Sequence, residues 1–287
     1  MVDSTTGPTT ATTDVSDAGS ASPLAITGGI DFQSKYIFRG FATTNQGLIA
    51  QPYAQISYTV LDLSSFLGNE LTVTPYAGTW NNITSHPYQI KPGQQSGDLH
   101  WWSEIDTDLG VTMSYDNFSL GLAYVYYSYP NGSLNSDMEA GFNLAYDDSG
   151  YWASNTVFAA INPHIAYYHE FQNLGGHAGG YFEIGVAPAL KPFNIGSLPV
   201  TLSAPIIMGL ATDNYYTNAD GSTNPFGYFE MGANASVPLN VLSNHIGGAW
   251  NLVGEVDYYL LNADNTRSSD GGKSTDVTAR IGLAFKY

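Results

Sequence analysis

The chain has no cysteine among its 287 residues, which excludes disulfide staples, thiolate metal sites and thiol nucleophiles. Charge is scarce as well. Charged residues make up 11% of the sequence, against about 25% in ordinary soluble domains. Positive charge is the scarcer sign: 8 Lys and Arg stand against 25 Asp and Glu, for a net charge of −17. A protein held to nucleic acid by basic patches is thereby excluded. No apolar run approaches the roughly 18 residues that a transmembrane helix needs. The longest is Ala204–Ala211. The mean hydropathy of −0.11 would describe a water-soluble chain, except that a β-barrel hides its apolar residues in alternation.

What is abundant is aromatic: 14% of the residues, with 21 tyrosines. The first 23 residues have none of them. Met1–Pro23 is rich in Thr, Ser, Gly and Asp, too poor in apolar surface to offset the entropy of ordering, and is expected to be a disordered tail on the periplasmic side. From Leu24 onward the apolar period is two. Ile26, Gly28, Ile30, Phe32, Ser34, Tyr36 and Phe38 form one row, and Thr27, Gly29, Asp31, Gln33, Lys35, Ile37 and Arg39 the other. This run of about 15 residues is far longer than the roughly 5–6 of a globular strand. The end of the chain repeats it: Val277, Ala279, Ile281, Leu283, Phe285 and Tyr287 alternate with Thr278, Arg280, Gly282, Ala284 and Lys286.

Twelve such segments are expected, near 25–40, 47–60, 70–83, 99–115, 117–130, 137–147, 155–170, 178–190, 198–213, 226–239, 248–262 and 274–287, separated by Gly, Asn and Asp turn signals. Twelve alternating strands could form a soluble sandwich or a membrane barrel. A sandwich turns its polar rows to water and should carry many Lys and Glu there. This sequence does not. The fold class expected is therefore all-β: one transmembrane antiparallel barrel of about twelve strands over residues 24–287, in the bacterial outer membrane, with its apolar rows facing outer-membrane lipid. Eight aromatic doublets, seven of them beside connections on one side, point to an aromatic girdle at the membrane boundary that includes Trp101, Tyr126, Tyr167, Phe182, Tyr215 and Tyr258.

The polar rows would line the interior. They supply the acids Asp31, Glu70, Glu104, Asp106, Asp108, Glu139, Glu170, Glu183, Glu230, Glu255 and Asp257, and the bases Lys35, Arg39, Arg280 and Lys286. The first and last strands must pair, so the bases are expected to cluster at that seam with the acids around the rest of the wall. Excess acid favours cations. Eight strands are filled by side chains and 16–18 leave a water channel, so about twelve should leave a narrow one. Arg39 reads either as an internal pair partner, reaching Asp31 or Glu104, or as a solute contact, with Gly40 bending the end of strand one. Inward folding is looked for in the connections 84–98 and 263–273.

His100, Glu104, Asp106 and Asp108 share a face, but a hard-cation cage needs about six ligands, usually from one loop. Asn218–Asn224 resembles a calcium loop only in composition. Ser128 and His169 both point outward, yet two strands apart, so no nucleophile and base are expected to meet. No enzyme activity, metal or cofactor is expected. The function expected is a porin for passive diffusion of small solutes, narrow and weakly cation-preferring. The alternative is a non-conducting scaffold or adhesion barrel.

Two resemblances sharpen this. The alternating segment that closes on Tyr287 resembles the C-terminal β-signal of bacterial outer-membrane proteins. That implies the barrel-assembly machinery as a partner and an outward face for the connections 84–98, 131–136, 171–177, 214–225 and 263–273. Ser34-Lys35-Tyr36-Ile37-Phe38-Arg39-Gly40-Phe41, followed by Gln51-Pro52-Tyr53 and Ser57-Tyr58, resembles the opening hairpin of the TorF-like putative porins, with its Ser-x-Tyr-x-x-Arg-Gly pattern. It implies an outer-membrane barrel and no particular substrate. Association into a homo-oligomer is compatible with either resemblance.

Overall fold

The computed structural model describes residues 22–62, 71–86, 101–132, 134–172 and 179–287. Twelve wall strands run in chain order: β1 (Leu24–Gln33), β2 (Ile49–Tyr58), β3 (Leu71–Thr84), β4 (Trp102–Tyr115), β5 (Phe118–Ser128), β6 (Asp137–Tyr146), β7 (His164–Gln172), β8 (Gly179–Val186), β9 (Ile206–Ala211), β10 (Phe226–Pro238), β11 (Ala249–Leu261) and β12 (Thr275–Lys286). Each pairs antiparallel with the next. β12 returns to β1 in the register Asp31↔Gly282 and Gln33↔Arg280, which closes the barrel and leaves no free edge. Tyr287 completes the closure by exchanging backbone hydrogen bonds with Ile26 at 2.8 and 2.9 Å.

The alternation read from the sequence is the alternation of the wall. Within the twelve wall strands every Asp, Glu, Lys and Arg lies on the inward parity and none on the outward one. The outward rows expose Ile26, Phe32, Leu109, Leu122, Met231, Val256 and Ile281. Such a surface is stable against lipid tails and unstable against water. A closed twelve-stranded antiparallel barrel wearing an uncharged apolar belt belongs in the bacterial outer membrane. No helix among the described residues is long and apolar enough to cross a membrane.

Three neighbouring strands bend at one level. The expected segments 155–170, 178–190 and 198–213 are each interrupted beside a proline that cannot donate to the ladder, Pro163, Pro188 and Pro205, whereas Pro52 and Pro75 lie inside unbroken strands. Beyond the bends the short strands Phe158–Ala160, Ala189–Leu190 and Leu198–Ser203 carry the wall toward the end that holds the chain termini. Ala187 N–H to Ile161 carbonyl (2.8 Å) and Ala204 N–H to Pro188 carbonyl (2.9 Å) seal the line of bends.

One expectation is corrected here. Strand one does not run to residue 40. β1 stops at Gln33, and the chain turns inward as a hairpin of Tyr36–Phe38 and Phe41–Thr44. This hairpin is a two-stranded sheet of its own, outside the wall ladder. At its tip Arg39 has φ +48° and Gly40 φ +81°. Gly40 does make a bend, but of the hairpin, where an added Cβ would crowd the Tyr228 ring. Helix α1 (Asn240–Ile246) lies at the terminal end. Helix α2 (Asp264–Ser269) lies at the opposite, loop end.

Candidate functional site: the lumen and its hairpin

The hairpin crosses the barrel. Tyr36 meets Trp80 of β3 at 5.0 Å between ring centroids, and Phe38 meets Tyr127 of β5 at 6.0 Å. Phe41 stacks on Tyr216 at 5.7 Å. The connection 262–274 closes over it from above. Ser269 accepts a hydrogen bond from the Ala42 N–H at 2.9 Å, and Asp270 accepts one from Lys35 Nζ at 2.7 Å. Lys35 also pairs with Asp276. Burial opposes the Lys35 charge, but these two carboxylates outweigh it and raise its pKa above the usual lysine value. Of the two connections in which inward folding was sought, 263–273 is the lid of the plug and not the plug itself. Residues 87–98 lie outside the described residues, as do Glu70, His100 and residues 1–21 of the expected tail.

Arg39 is the tip of the hairpin and the centre of the site. Its Nη1 and Nη2 donate to Glu139 of β6 at 2.7 and 2.9 Å, a bidentate fork. Tyr127 donates to the same carboxylate at 2.6 Å. Nη1 also reaches the Tyr215 hydroxyl at 3.2 Å. The guanidinium lies over the rings of Tyr181 (4.3 Å), Phe38 (4.7 Å), Tyr168 (4.8 Å) and Tyr215 (5.8 Å). Tyr216 donates to the Arg39 carbonyl at 3.0 Å, which holds the backbone in its left-handed turn. The expected cluster of bases at the seam is corrected for Arg39 alone: Lys35 pairs with Asp276 of β12, and Arg280 and Lys286 lie on β12 itself. Arg39 sits against the opposite wall, and its partner is Glu139, not Asp31 or Glu104.

The seam does hold Arg280, which donates to Asp31 at 3.1 Å and pairs with Glu255. The remaining acids are spread over the wall. Glu104 and Asp106 lie side by side in register on β4 behind Tyr36, and Asp106 Oδ1 has no hydrogen-bond partner. Asp108 follows them, partly exposed toward the terminal end. Glu183 accepts from Tyr181 and faces His164 at 3.2 Å. Glu230 sits opposite Tyr259 in the ladder, and Asp257 accepts from Thr278 at 3.2 Å. Of the twelve residues expected to line a pore, all face the interior, and all but Asp108 are buried. A wide water-filled bore would leave them exposed.

The interior is therefore asymmetric. Its loop half is packed with the hairpin and with Tyr127, Tyr168, Tyr181, Tyr228 and Tyr259. Its terminal half is lined by partly exposed small residues such as Ser57, Thr112, Ser114, Ser119, Gly121 and Asn143. Sequence reading missed this inner aromatic collar. A signal was present: adjacent residues on a strand point to opposite faces, so an aromatic doublet within a wall strand puts one ring inside. Tyr126, Tyr167, Phe182 and Tyr258 take the outward place and Tyr127, Tyr168, Tyr181 and Tyr259 the inward one. Trp101 is exposed at the loop end. Tyr215 departs from the expected girdle: it stands in the connection 212–225 beside Tyr216, and both rings turn in to meet the hairpin.

Ser128 donates to the Ile105 carbonyl at 3.0 Å, and His169 packs edge-on to Phe171, with β6 between them. Asp220 in the turn Asn218–Asn224 accepts from the Ser222 amide and hydroxyl of its own loop. No group of three or more metal-ligating side chains occurs among the described residues.

No protein-family model and no curated protein matches the chain. Solved outer-membrane barrels are similar in form. CdiB from Acinetobacter baumannii gives a TM-score of 0.42 at 11% identity, over 93% of this chain and 60% of that one, so the chain spans about 60% of its length. The beta domain of the Bordetella autotransporter BrkA gives 0.43 at 11% identity over 92% and 98%. An outer-membrane channel of Pseudomonas putida F1 gives 0.49 at 10% identity over 95% of this chain and 98% of that one.

Proposed function

We propose that the barrel is a channel for passive diffusion of small solutes, narrow and weakly cation-preferring, whose bore is set by the hairpin Tyr36–Thr44. One observation carries the reading: the interior wall bears many more carboxylates than cations. Asp31, Glu104, Asp106, Asp108, Glu139, Glu183, Glu230, Glu255 and Asp257 face Arg39, Arg280 and Lys35. Isolated carboxylates are strongly disfavoured in a dry interior. Where protein donors such as Arg39 and Tyr127 do not meet them and they stay charged, water and mobile cations would, and these are the contents of a cation-preferring pore. The partly exposed terminal half supplies an entrance. The packed loop half favours the second reading, a non-conducting barrel that serves as scaffold or adhesin.

In the channel reading the expected pore-lining residues act as a cation-attracting wall. The outward aromatics Trp101, Tyr126, Tyr167, Phe182 and Tyr258 form the girdle. The resemblance of Ser34–Phe41 to the TorF-like putative porins supports membership in that group, with Arg39 of the Ser-x-Tyr-x-x-Arg-Gly pattern as the hairpin anchor. The partners are outer-membrane lipid, the barrel-assembly machinery at the strand ending in Tyr287, and further copies of the chain in a homo-oligomer. Residues 1–23 form the periplasmic tail. The reading includes no catalytic role.

Planar-bilayer recording of the purified barrel across a KCl gradient tests it. Discrete current steps with a reversal potential on the potassium side are expected. Absence of steps would establish the scaffold reading. Anion selectivity would overturn the role given to the carboxylates.

A further inference from the structure

Arg39 behaves as a ligand that happens to be tethered. Everything that holds its guanidinium, apart from Phe38, comes from outside the hairpin: the Glu139 fork and the rings of Tyr168, Tyr181 and Tyr215. Glu139 is 0% exposed and sits at the floor of this cage. A carboxylate below and π faces around is the chemistry that selects an organic cation. The fork fits the planar guanidinium better than the compact, strongly hydrated ammonium of lysine.

The tether stands apart from the wall ladder and is anchored by side chains: Asn82 donates to Thr44 at 3.0 Å, and Tyr36, Phe38 and Phe41 pack on Trp80, Tyr127 and Tyr216. Among the described residues the hairpin makes no ladder hydrogen bonds to the wall. Its backbone is held to other segments by the Ser269 and Tyr216 side chains. Arg39 occupies the left-handed backbone region, which is unfavourable for a residue with a Cβ. Its Nε is buried and has no hydrogen-bond partner among the described residues. The site is thus matched to the two terminal nitrogens of a guanidinium, and a free one could seat them without the strain of the loop.

We propose that the Glu139–Tyr168–Tyr181–Tyr215 cage is a binding site for small guanidinium-bearing organic cations, with Arg39 as its built-in competitor. A solute that takes the cage releases the hairpin from the far wall. This deepens the channel reading by naming the solute class, and it rests on that reading for the solute's route of entry; binding itself can be measured without it.

The experiment uses the full-length barrel in detergent, with ethylguanidinium as the probe and sodium chloride at equal ionic strength as the control. Calorimetry should show the Arg39→Ala variant binding the probe at least about tenfold tighter than the parent, and the added Glu139→Gln change removing at least about tenfold of that. No binding to Arg39→Ala, or binding indifferent to Glu139→Gln, overturns the site. The second measurement needs no change at Arg39. The chain has no native thiol, so Ala42→Cys places one on the buried face of the hairpin. Ethylguanidinium should speed its alkylation by maleimide several-fold over sodium chloride, and equal rates would overturn the displacement. Binding without single-channel current sinks the channel reading and leaves the site standing. Current without binding does the reverse.

Discussion

Arg280, on the last strand of the wall, donates from Nη1 to Asp31 on the first at 3.1 Å, and its Nη2 pairs with Glu255 on the strand before. One buried guanidinium therefore ties three consecutive strands at the seam that closes the barrel. Removing one partner of a buried ion pair leaves uncompensated charge and costs about 3–5 kcal/mol. Arg280→Ala, which strands both Asp31 and Glu255, should fall at the upper end of that range. Urea unfolding in detergent micelles should show the loss, and a midpoint equal to the parent's would refute the seam's importance.

The outward rows carry no Asp, Glu, Lys or Arg. Leu122, exposed in mid-strand on β5, should not tolerate one. Leu122→Arg should destabilise the barrel by about 2–4 kcal/mol in a bilayer, the cost of a cation near the midplane of the lipid face. Reversible unfolding from lipid vesicles measures this. A change below about 1 kcal/mol would place Leu122 at the interface instead.

Asp148 closes the terminal-end turn between β6 and β7. Burial opposes its charge, but hydrogen bonds from the Asn162 amide, the Trp152 indole and the Ile161 amide outweigh that and hold its pKa below the usual 3.8. A depressed carboxylate stabilises the native state above its unfolded pKa, and this contribution is lost as pH falls through the folded value. The turn 148–162 should be protected from hydrogen exchange at pH 6 and lose that protection selectively below about pH 3.8. Asp148→Ala should show the weaker protection at every pH. A pH-independent pattern in the parent would contradict the cap.

The hairpin is the element whose removal should change current most. Replacing residues 36–44 by a short Gly-Ser linker takes Tyr36, Arg39 and Phe41 out of the loop half and leaves every ladder bond of the wall in place. Single-channel conductance should rise several-fold, while heat-modifiability on gels remains that of a closed barrel. Unchanged conductance in a folded variant would mean that the constriction lies elsewhere.

Much of the wall could be read from the sequence, because a period of two is a direct consequence of strand geometry and the lipid face tolerates no charge to disturb it. Across Pro188 and Pro205 the alternation keeps its inside and outside, while before Pro163 a bulge between Phe158 and Ala160 resets it. The hairpin could not be read the same way. Tyr36 to Thr44 continues the alternation of β1, and alternation reports that a segment is extended, not whether it stays in the wall. Arg39 meets Glu139 a hundred residues away, a partnership set by the diameter of the barrel rather than by any local pattern. The inward half of the doublets was missed for a simpler reason: Tyr126 and Tyr127 are neighbours in sequence but stand on opposite sides of a wall one residue thick.

Because the small sheet of residues 36–44 shares no ladder with its surroundings, the molecule divides into a container and a replaceable insert. In the proposed channel, changes in that short stretch would widen, narrow or re-tune the passage while leaving the backbone ladder of the lipid-embedded shell in place. Under that proposal, selectivity would change by exchanging the stopper rather than rebuilding the bottle.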